Sequence, residues 1–541
     1  MNPSNLFVQP APRPRNAWTE DWLLRSYLHR RLPPEVLRAI DGDVTELAQL
    51  ACGQLWNLQL ADRLNEPVLT NWDAWGNRVD RIEVTALWRE AEKLTVQYGL
   101  TALPYERKHG AWSRVHQFAL VYLFHPFTDV YTCPLAMTDG AARTLIASGN
   151  RALIDRAVPH LTSRDPAQFW TSGQWMTEAT GGSDVGLSST VARQIDGAWR
   201  LSGKKWFTSA ATSQMTLTLA RPEGNAPGGS GLALFYLETR DASGALNGIR
   251  IERLKDKLGT RKVPTAELSL EGSVAELVAG TSNGTRNIEP MLKITRAWNS
   301  VCAISFMRHG LLLACDYASK RQAFGAPLAE QPLHRETLAA LDAESAGAFL
   351  LTFELIELLG REEAGELDER GRALLRLLTP LAKAVTGKQV VAVLSEVVET
   401  FGGAGYIEDT GIPTLLRDAQ VLPIWEGTTN VLSLDLLLRA DVEAGGAAML
   451  ERVSNIVQGI DKSELVSIAR RAKTDIEAAL AWRASTKDPR ALQSGARRFT
   501  LTLGRAFASA LLAEHAAQIA DHDHRTAAGS AAARFPATSR L

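Results

Sequence analysis

Four segments carry residue types that could do chemistry, and they follow one another along the chain. MTEATGGSDV, Met176 to Val185, combines the Thr177 hydroxyl with Gly181, Gly182 and Ser183. Glycines let backbone amides approach a flat or anionic ligand, and hydroxyls can meet ring heteroatoms. Taken alone, the segment reads better as a polar turn entering a β domain. It misses the GxSxG nucleophile elbow, because position 185 is Val. GKKWFTSA, Gly203 to Ala210, offers an aromatic pair and Thr208, which could cover and hydrogen-bond a planar heterocycle; a strand with inward aromatics explains it equally well. ASKRQAFGAPL, Ala318 to Leu328, places Arg321 before a Phe324-Gly325 turn. An Arg fork suits phosphate, although a favourable charge at a helix C-terminus is sufficient reason for it. The fourth segment, Phe401 to Asn430, opens with Gly402, Gly403 and Gly405 and closes on WEGTTN, with Glu426 between Trp425 and Gly427. An apolar neighbour desolvates a carboxylate and makes it a stronger base, and the glycine lets a ligand approach the backbone. By itself, Glu426 would be a loop carboxylate on the surface.

The elements that must position these segments are legible from hydrophobic period. The proline-bearing stretch 1–17 is expected to be a disordered arm. Residues 18–165 have mainly helical spacing, as in WTEDWLLRSYL, where Trp22, Leu23, Leu24 and Leu28 share a face behind Thr19. From 170 to 275 the runs become short and turn-punctuated. Asp196-Gly197 between alternating segments signals a hairpin, and GLALFYLE, GIRIERL and TAELSLEG read as strands. From 282 to 440 long amphipathic runs suit an antiparallel bundle. A further helical region, 441–535, follows, with Asp461 to Glu464 spaced as a capping arrangement. The class is α+β: helices, a small antiparallel β-barrel domain, then a bundle with extra helices.

The four segments, in this order and at this spread, resemble the signatures of the acyl-CoA dehydrogenase family. RLKDKLGTRKVPTAELSLEG, Arg253 to Gly272, is a fifth match, and the helical ends resemble the AidB-like branch. The resemblance implies FAD held between the β domain and the bundle, with a neighbouring subunit contributing. It implies cofactor contacts from Met176, Thr177, Gly182, Ser183, Trp206, Phe207 and Thr208, the last near flavin N5. It further implies that Arg321 and Phe324 reach a partner subunit's FAD, and that Gly402, Gly403, Gly427, Thr428 and Asn430 add further contacts. Glu426 would be the base for α,β-dehydrogenation of an acyl-CoA thioester, and Arg296, a weaker match, would lie on the substrate side. Glu399 and Asn430 depart from the family pattern, which has Gln at both positions. A homo-oligomer, tetramer or dimer, is implied. So is an alternative taken from the AidB-like branch, DNA binding in the response to alkylation damage.

Composition narrows the remaining classes. The 541 residues carry a net charge of -1, are 45% hydrophobic and 22% charged, and suggest roughly three to four domains. Whole-chain charge gives no reason to invoke nucleic acid. Arg470, Arg471, Lys473, Arg497, Arg498 and Arg505 form basic clusters, but Asp475, Glu477, Asp488 and Glu514 intersperse them, as on a solvated helix face. Cys52, Cys133, Cys302 and Cys315 are scattered and read as reduced thiols of an intracellular protein. No secretory signal is visible. AGAFLLTFELIELL is interrupted by Glu354 and Glu357 and reads as a core helix, so no membrane span is expected. The closing Ser539-Arg540-Leu541 resembles a peroxisomal address, with an import receptor as the implied partner. No HExxH or Walker loop is present, and Asp521-His522-Asp523-His524 lacks the spacing to close a metal site.

Overall fold

The computed structural model describes residues 9–536, so Ser539-Arg540-Leu541 lie outside the described residues. The chain divides into two compact units: Met1–Asn57 with His109–Phe127 and Ser300–Leu541, and Leu58–Lys108 with Thr128–Asn299.

The first unit is helical. Its centre is the antiparallel pair Pro332–Glu363 and Glu369–Thr400, on both of which Pro489–Gln518 packs. Asp368 starts the second of these helices, its carboxylate accepting the Gly371 amide at 2.7 Å. Leu374, Leu375, Leu377, Leu378 and Leu381 are all buried along it; each removes apolar surface worth about 1.5–3 kcal/mol. Glycine permits the closest approaches: a Cβ at Gly504 would strike Val385, and one at Gly347 would strike the Phe535 ring. The helix Glu369–Thr400 is long and apolar enough to cross a membrane, but most of its apolar stretch is buried in the bundle. Glu354 and Glu357, which interrupt the neighbouring apolar run, are ion-paired: Glu354 with Arg452 at 2.8 Å, Glu357 with Arg31.

The second unit combines the helices Ala86–Tyr98, Thr132–Ser148 and Arg151–Leu161 with strands. These are β1 (Val68–Trp72), β2 (Arg78–Glu83), β3 (Ser172–Trp175), β4 (Val191–Ile195), β5 (Ala198–Thr208), β6 (Met215–Pro222), β7 (Ala233–Glu238), β8 (Ile249–Leu254) and β9 (Ala266–Leu277). Pairings β6–β4–β5–β9–β7 return to β6, which closes a barrel; β3 adds to β6 and β8 to β9. The barrel is not purely antiparallel, since β3 and β4 both run parallel to β6. Asp196 (φ 51°) and Gly197 (φ 77°) form the two-residue turn between β4 and β5, as expected.

Three further expectations are corrected. Residues 9–17, expected to be disordered, lie along the helical unit: the Arg13 amide donates to Asp316 and Lys320 donates to the Ala11 carbonyl. Side chains from a distant helix supply the partners that local composition lacks. The N-terminal region is mainly helical, as expected, and also holds a hairpin of β1 and β2, tied to β8 through Asn71 and the Ile251 carbonyl at 2.8 Å. The first helix begins at Leu23 with Trp22 at its cap, not Thr19. The helix Ser463–Ser485 is preceded by Lys462 at its cap position and has no side-chain cap, so Asp461 lies one residue too early to serve.

Candidate active site

On the barrel unit, the first two motifs are brought together. The Trp206 amide donates to the Thr177 carbonyl at 3.0 Å, and Gly182 closes on Thr177 so tightly that a Cβ there would sit 2.6 Å from its hydroxyl. Met176 and Thr177 are half-buried, while Gly182 and Ser183 are exposed at the turn. Phe207 is 54% exposed, with no part in the barrel core, and Trp206 is half-buried under the Lys255 ammonium, 3.5 Å from its ring centroid. Thr208 faces inward instead: it is wholly buried and its hydroxyl donates to the Ala266 carbonyl at 2.6 Å.

What holds this arrangement is a buried ion pair that the sequence reading did not single out. Lys205 on β5 is fully buried and its ammonium contacts Glu178 at 2.9 Å. Glu178 also accepts the Ser189 amide at 2.6 Å, its hydroxyl at 2.7 Å and the Thr190 hydroxyl at 2.6 Å. Burial pushes the Glu178 carboxyl up, but Lys205 and these donors outweigh it and hold it at about 2. The pair clips the loop carrying Thr177, Gly182 and Ser183 onto the barrel. Its signal in the sequence was the second lysine of GKKWFT, at an inward position of a strand.

On the bundle unit, Glu426 sits in a turn after Ile412–Ala419 and before Thr429–Leu438. It adopts φ 55°, followed by Gly427 at φ 98°. A left-handed backbone at a non-glycine residue is strained, and such strain concentrates at functional sites. Lys383, fully buried on Glu369–Thr400, donates to the Gly427 carbonyl at 2.6 Å and so fixes the turn from beneath. A lone charge in the apolar run LAKAV was the available hint. Trp425 keeps its indole N–H shielded and without a partner among the described residues. Thr428 caps the next helix, its hydroxyl accepting the Val431 amide at 3.4 Å, and Asn430 is exposed on the first turn.

Gly402 (φ 59°) and Gly403 end the helix Glu369–Thr400 with open space beside both; a Cβ would meet nothing within 4 Å. Gly405 differs: a Cβ there would strike the Val398 carbonyl, so it is a packing glycine. Glu399 is exposed one turn before. Arg321 follows the helix Glu289–Lys320 and precedes the hairpin of β10 (Gln322–Ala323) and β11 (Ala326–Pro327). At its tip Phe324 has φ 51° and is 99% exposed. Arg296 is half-buried on Glu289–Lys320 within the barrel unit.

Elsewhere, Arg470, Arg471, Arg497 and Arg498 are exposed, but Arg505 is engaged with Glu344 at 2.7 and 2.9 Å. Asp521 caps the helix His522–Arg534 by accepting the His524 amide at 2.9 Å.

Helices before and after a seven-stranded β domain, with a carboxylate on a glycine-flanked turn of the bundle, define the acyl-CoA dehydrogenase fold. The chain belongs to the acyl-CoA dehydrogenase family, a family of oxidoreductases, and to its AidB-like branch. Residues 282–440 match the acyl-CoA dehydrogenase C-terminal domain, 173–273 the middle domain, and 8–166 the adaptive response protein AidB N-terminal domain. Acyl-CoA dehydrogenase family member 11 of Caenorhabditis elegans is 42% identical over 94% of this chain and 86% of its own length. The putative acyl-CoA dehydrogenase AidB of Escherichia coli is 31% identical over 84% of each. Among solved structures, Caenorhabditis elegans ACDH-11 in complex with C11-CoA superposes with TM-score 0.93 at 40% identity, covering 97% of this chain and 92% of that one.

Proposed function

We propose that the protein is an FAD-dependent acyl-CoA dehydrogenase that converts a saturated acyl-CoA to its trans-2-enoyl thioester, with Glu426 as the base. The observation that carries this reading is the strained, Lys383-braced turn that presents Glu426. A costly backbone is retained where the surrounding structure over-determines it. The relative whose crystal structure contains C11-CoA supports an acyl-CoA substrate.

The residues present fit FAD. The open space beside Gly402 and Gly403 admits a diphosphate against bare backbone, and the exposed Phe207 and half-buried Trp206 offer flat surfaces to a ring system. By the family resemblance, Met176, Thr177, Gly182 and Ser183 would contact the cofactor, as would Gly427, Thr428 and Asn430. Arg321 and Phe324 would serve the cofactor of a second copy, in a homo-oligomer. Bound FAD would supply the acceptor for the β-hydrogen, which leaves as hydride. Glu426 removes the α-proton, and its backbone N–H polarises the thioester oxygen as enolate charge develops.

The test is anaerobic titration of the FAD-loaded protein with a panel of acyl-CoAs that includes C11-CoA, reading loss of flavin absorbance. Bleaching is expected with at least one chain length, and Glu426→Gln is expected to slow it by about 10²–10⁴-fold while FAD stays bound. No bleaching with any acyl-CoA overturns the reading.

A further inference from the structure

The helical unit holds a second cleft, which shares no residue with the Glu426 turn, the glycines or the β10–β11 hairpin. It has a volume of about 600 Å³ and is open to solvent. Small-molecule sites fall in the same range, roughly 300–1,000 Å³. Arg15, Arg335, Arg534 and Ser319 supply its polar side, and Pro332, Leu338, Ala339 and Ala329 its apolar wall.

The charge in this cleft is one-sided. Among the described residues Glu336 is the one carboxylate lining it, and it is taken by Arg534, which donates from Nε and Nη2 at 3.1 Å each. Arg534 also donates to the Ser530 hydroxyl. The guanidinium groups of Arg15 and Arg335 have neither a carboxylate nor a hydrogen-bond partner among the described residues. Among the lining side chains, three guanidiniums against one carboxylate leave a formal surplus of two positive charges; Asp342, whose charge also reaches Arg534, is paired with Arg308.

The cleft is also built in advance of any ligand. Arg15 lies on the N-terminal segment, which is anchored on both sides. Before it, the Arg13 amide donates to Asp316 at 3.0 Å. After it, the buried Asn16 side chain accepts the Trp18 and Thr19 amides at 2.9 and 3.1 Å. Arg335 stands on the first turn of the 32-residue helix Pro332–Glu363. Positioning both forks on held backbone removes ordering cost from binding.

We propose that this cleft binds a small phosphorylated molecule with an apolar body. A phosphomonoester is close to dianionic at neutral pH, which matches the surplus of two, and its oxygens suit two guanidinium forks. The apolar body lies on Leu338 and Ala339. This site is separate from the one proposed for acyl-CoA, so either can fail without the other.

The experiment is calorimetric titration of the FAD-loaded full chain with octyl phosphate, below its micelle concentration, and with inorganic phosphate. One octyl phosphate per chain is expected. Affinity should fall about tenfold in Arg335→Gln and in Arg15→Gln. Inorganic phosphate should bind at least about tenfold more weakly than octyl phosphate, because it leaves the apolar wall uncovered. Flavin absorbance and acyl-CoA bleaching should be unchanged in both variants. Unchanged octyl phosphate affinity in both variants overturns the site, as does the absence of saturable binding. Equal affinity for the two probes overturns the apolar half of the proposal.

Discussion

Glu426 holds a conformation that costs about 1–3 kcal/mol and is kept there from outside its own turn. Lys383 is the residue that reaches it, through the Gly427 carbonyl. Lys383→Met leaves that carbonyl without its donor, at a cost of about 1–3 kcal/mol, and lets the turn relax. The expected kinetic signature is a kcat lowered about tenfold or more with KM little changed, partly restored by Lys383→Arg; an unchanged kcat would show that Lys383 only packs. Glu178 makes a second, pH-dependent case. Its carboxyl lies at about 2 in the folded chain against an ordinary 4.5. The stability it contributes is therefore present above about pH 4.5 and lost as pH falls towards 2. Glu178→Gln leaves Lys205 buried without its counter-charge and should cost about 3–5 kcal/mol near neutrality. In urea unfolding, the gap between wild type and variant should close across that acid window.

The β10–β11 hairpin shows what an element can be for when its own chain gives it no work. Two consecutive left-handed residues, Phe324 and Gly325, turn it, and glycine suits only the second without strain. A fully exposed aromatic at such a tip buries nothing in its own chain. Phe324→Ala should therefore change the stability of the dilute chain by no more than about 0.5 kcal/mol. Under the proposed homo-oligomer, the same variant should lower the assembled mass seen by sedimentation and release FAD more readily. A variant that keeps both would remove the hairpin from the interface. The loop of Met176 to Val185 behaves in the opposite way: Glu178, which no motif argument needed, is what fastens it.

Across the helical unit, ion pairs join segments far apart in sequence. Arg308 is buried between Asp21 and Asp342, with its Nε 2.9 Å from Asp21. Arg452 links Glu354 to Glu514. Replacing one partner strands the other in low dielectric. Arg308→Met should cost about 3–5 kcal/mol, read as a lower denaturant midpoint, because Asp21 keeps its burial and loses a two-pronged donor. Loss of that size would show the N-terminal helices to be part of the bundle's core; a change below about 1 kcal/mol would show the pair to be dispensable.

Local chemistry determined a good part of this protein from sequence alone. The Asp196-Gly197 hairpin and the helical period of the bundle depend on neighbours within a few residues, where period and turn preference act directly, and the four short motifs are each legible in the same local way. Other features depend on partners hundreds of positions away. The arm at residues 9–17 is held by Asp316 and Lys320, and no local pattern encodes that. The β1–β2 hairpin was hidden in a region of helical spacing and is tied to β8. The inward turn of Thr208, the clip of Lys205 on Glu178 and the brace of Lys383 under Gly427 follow from burial, which only the folded chain assigns. Glu426 could be chosen from its motif; its left-handed backbone and what sustains it were decided by the tertiary structure, because strain survives only where distant packing over-determines it.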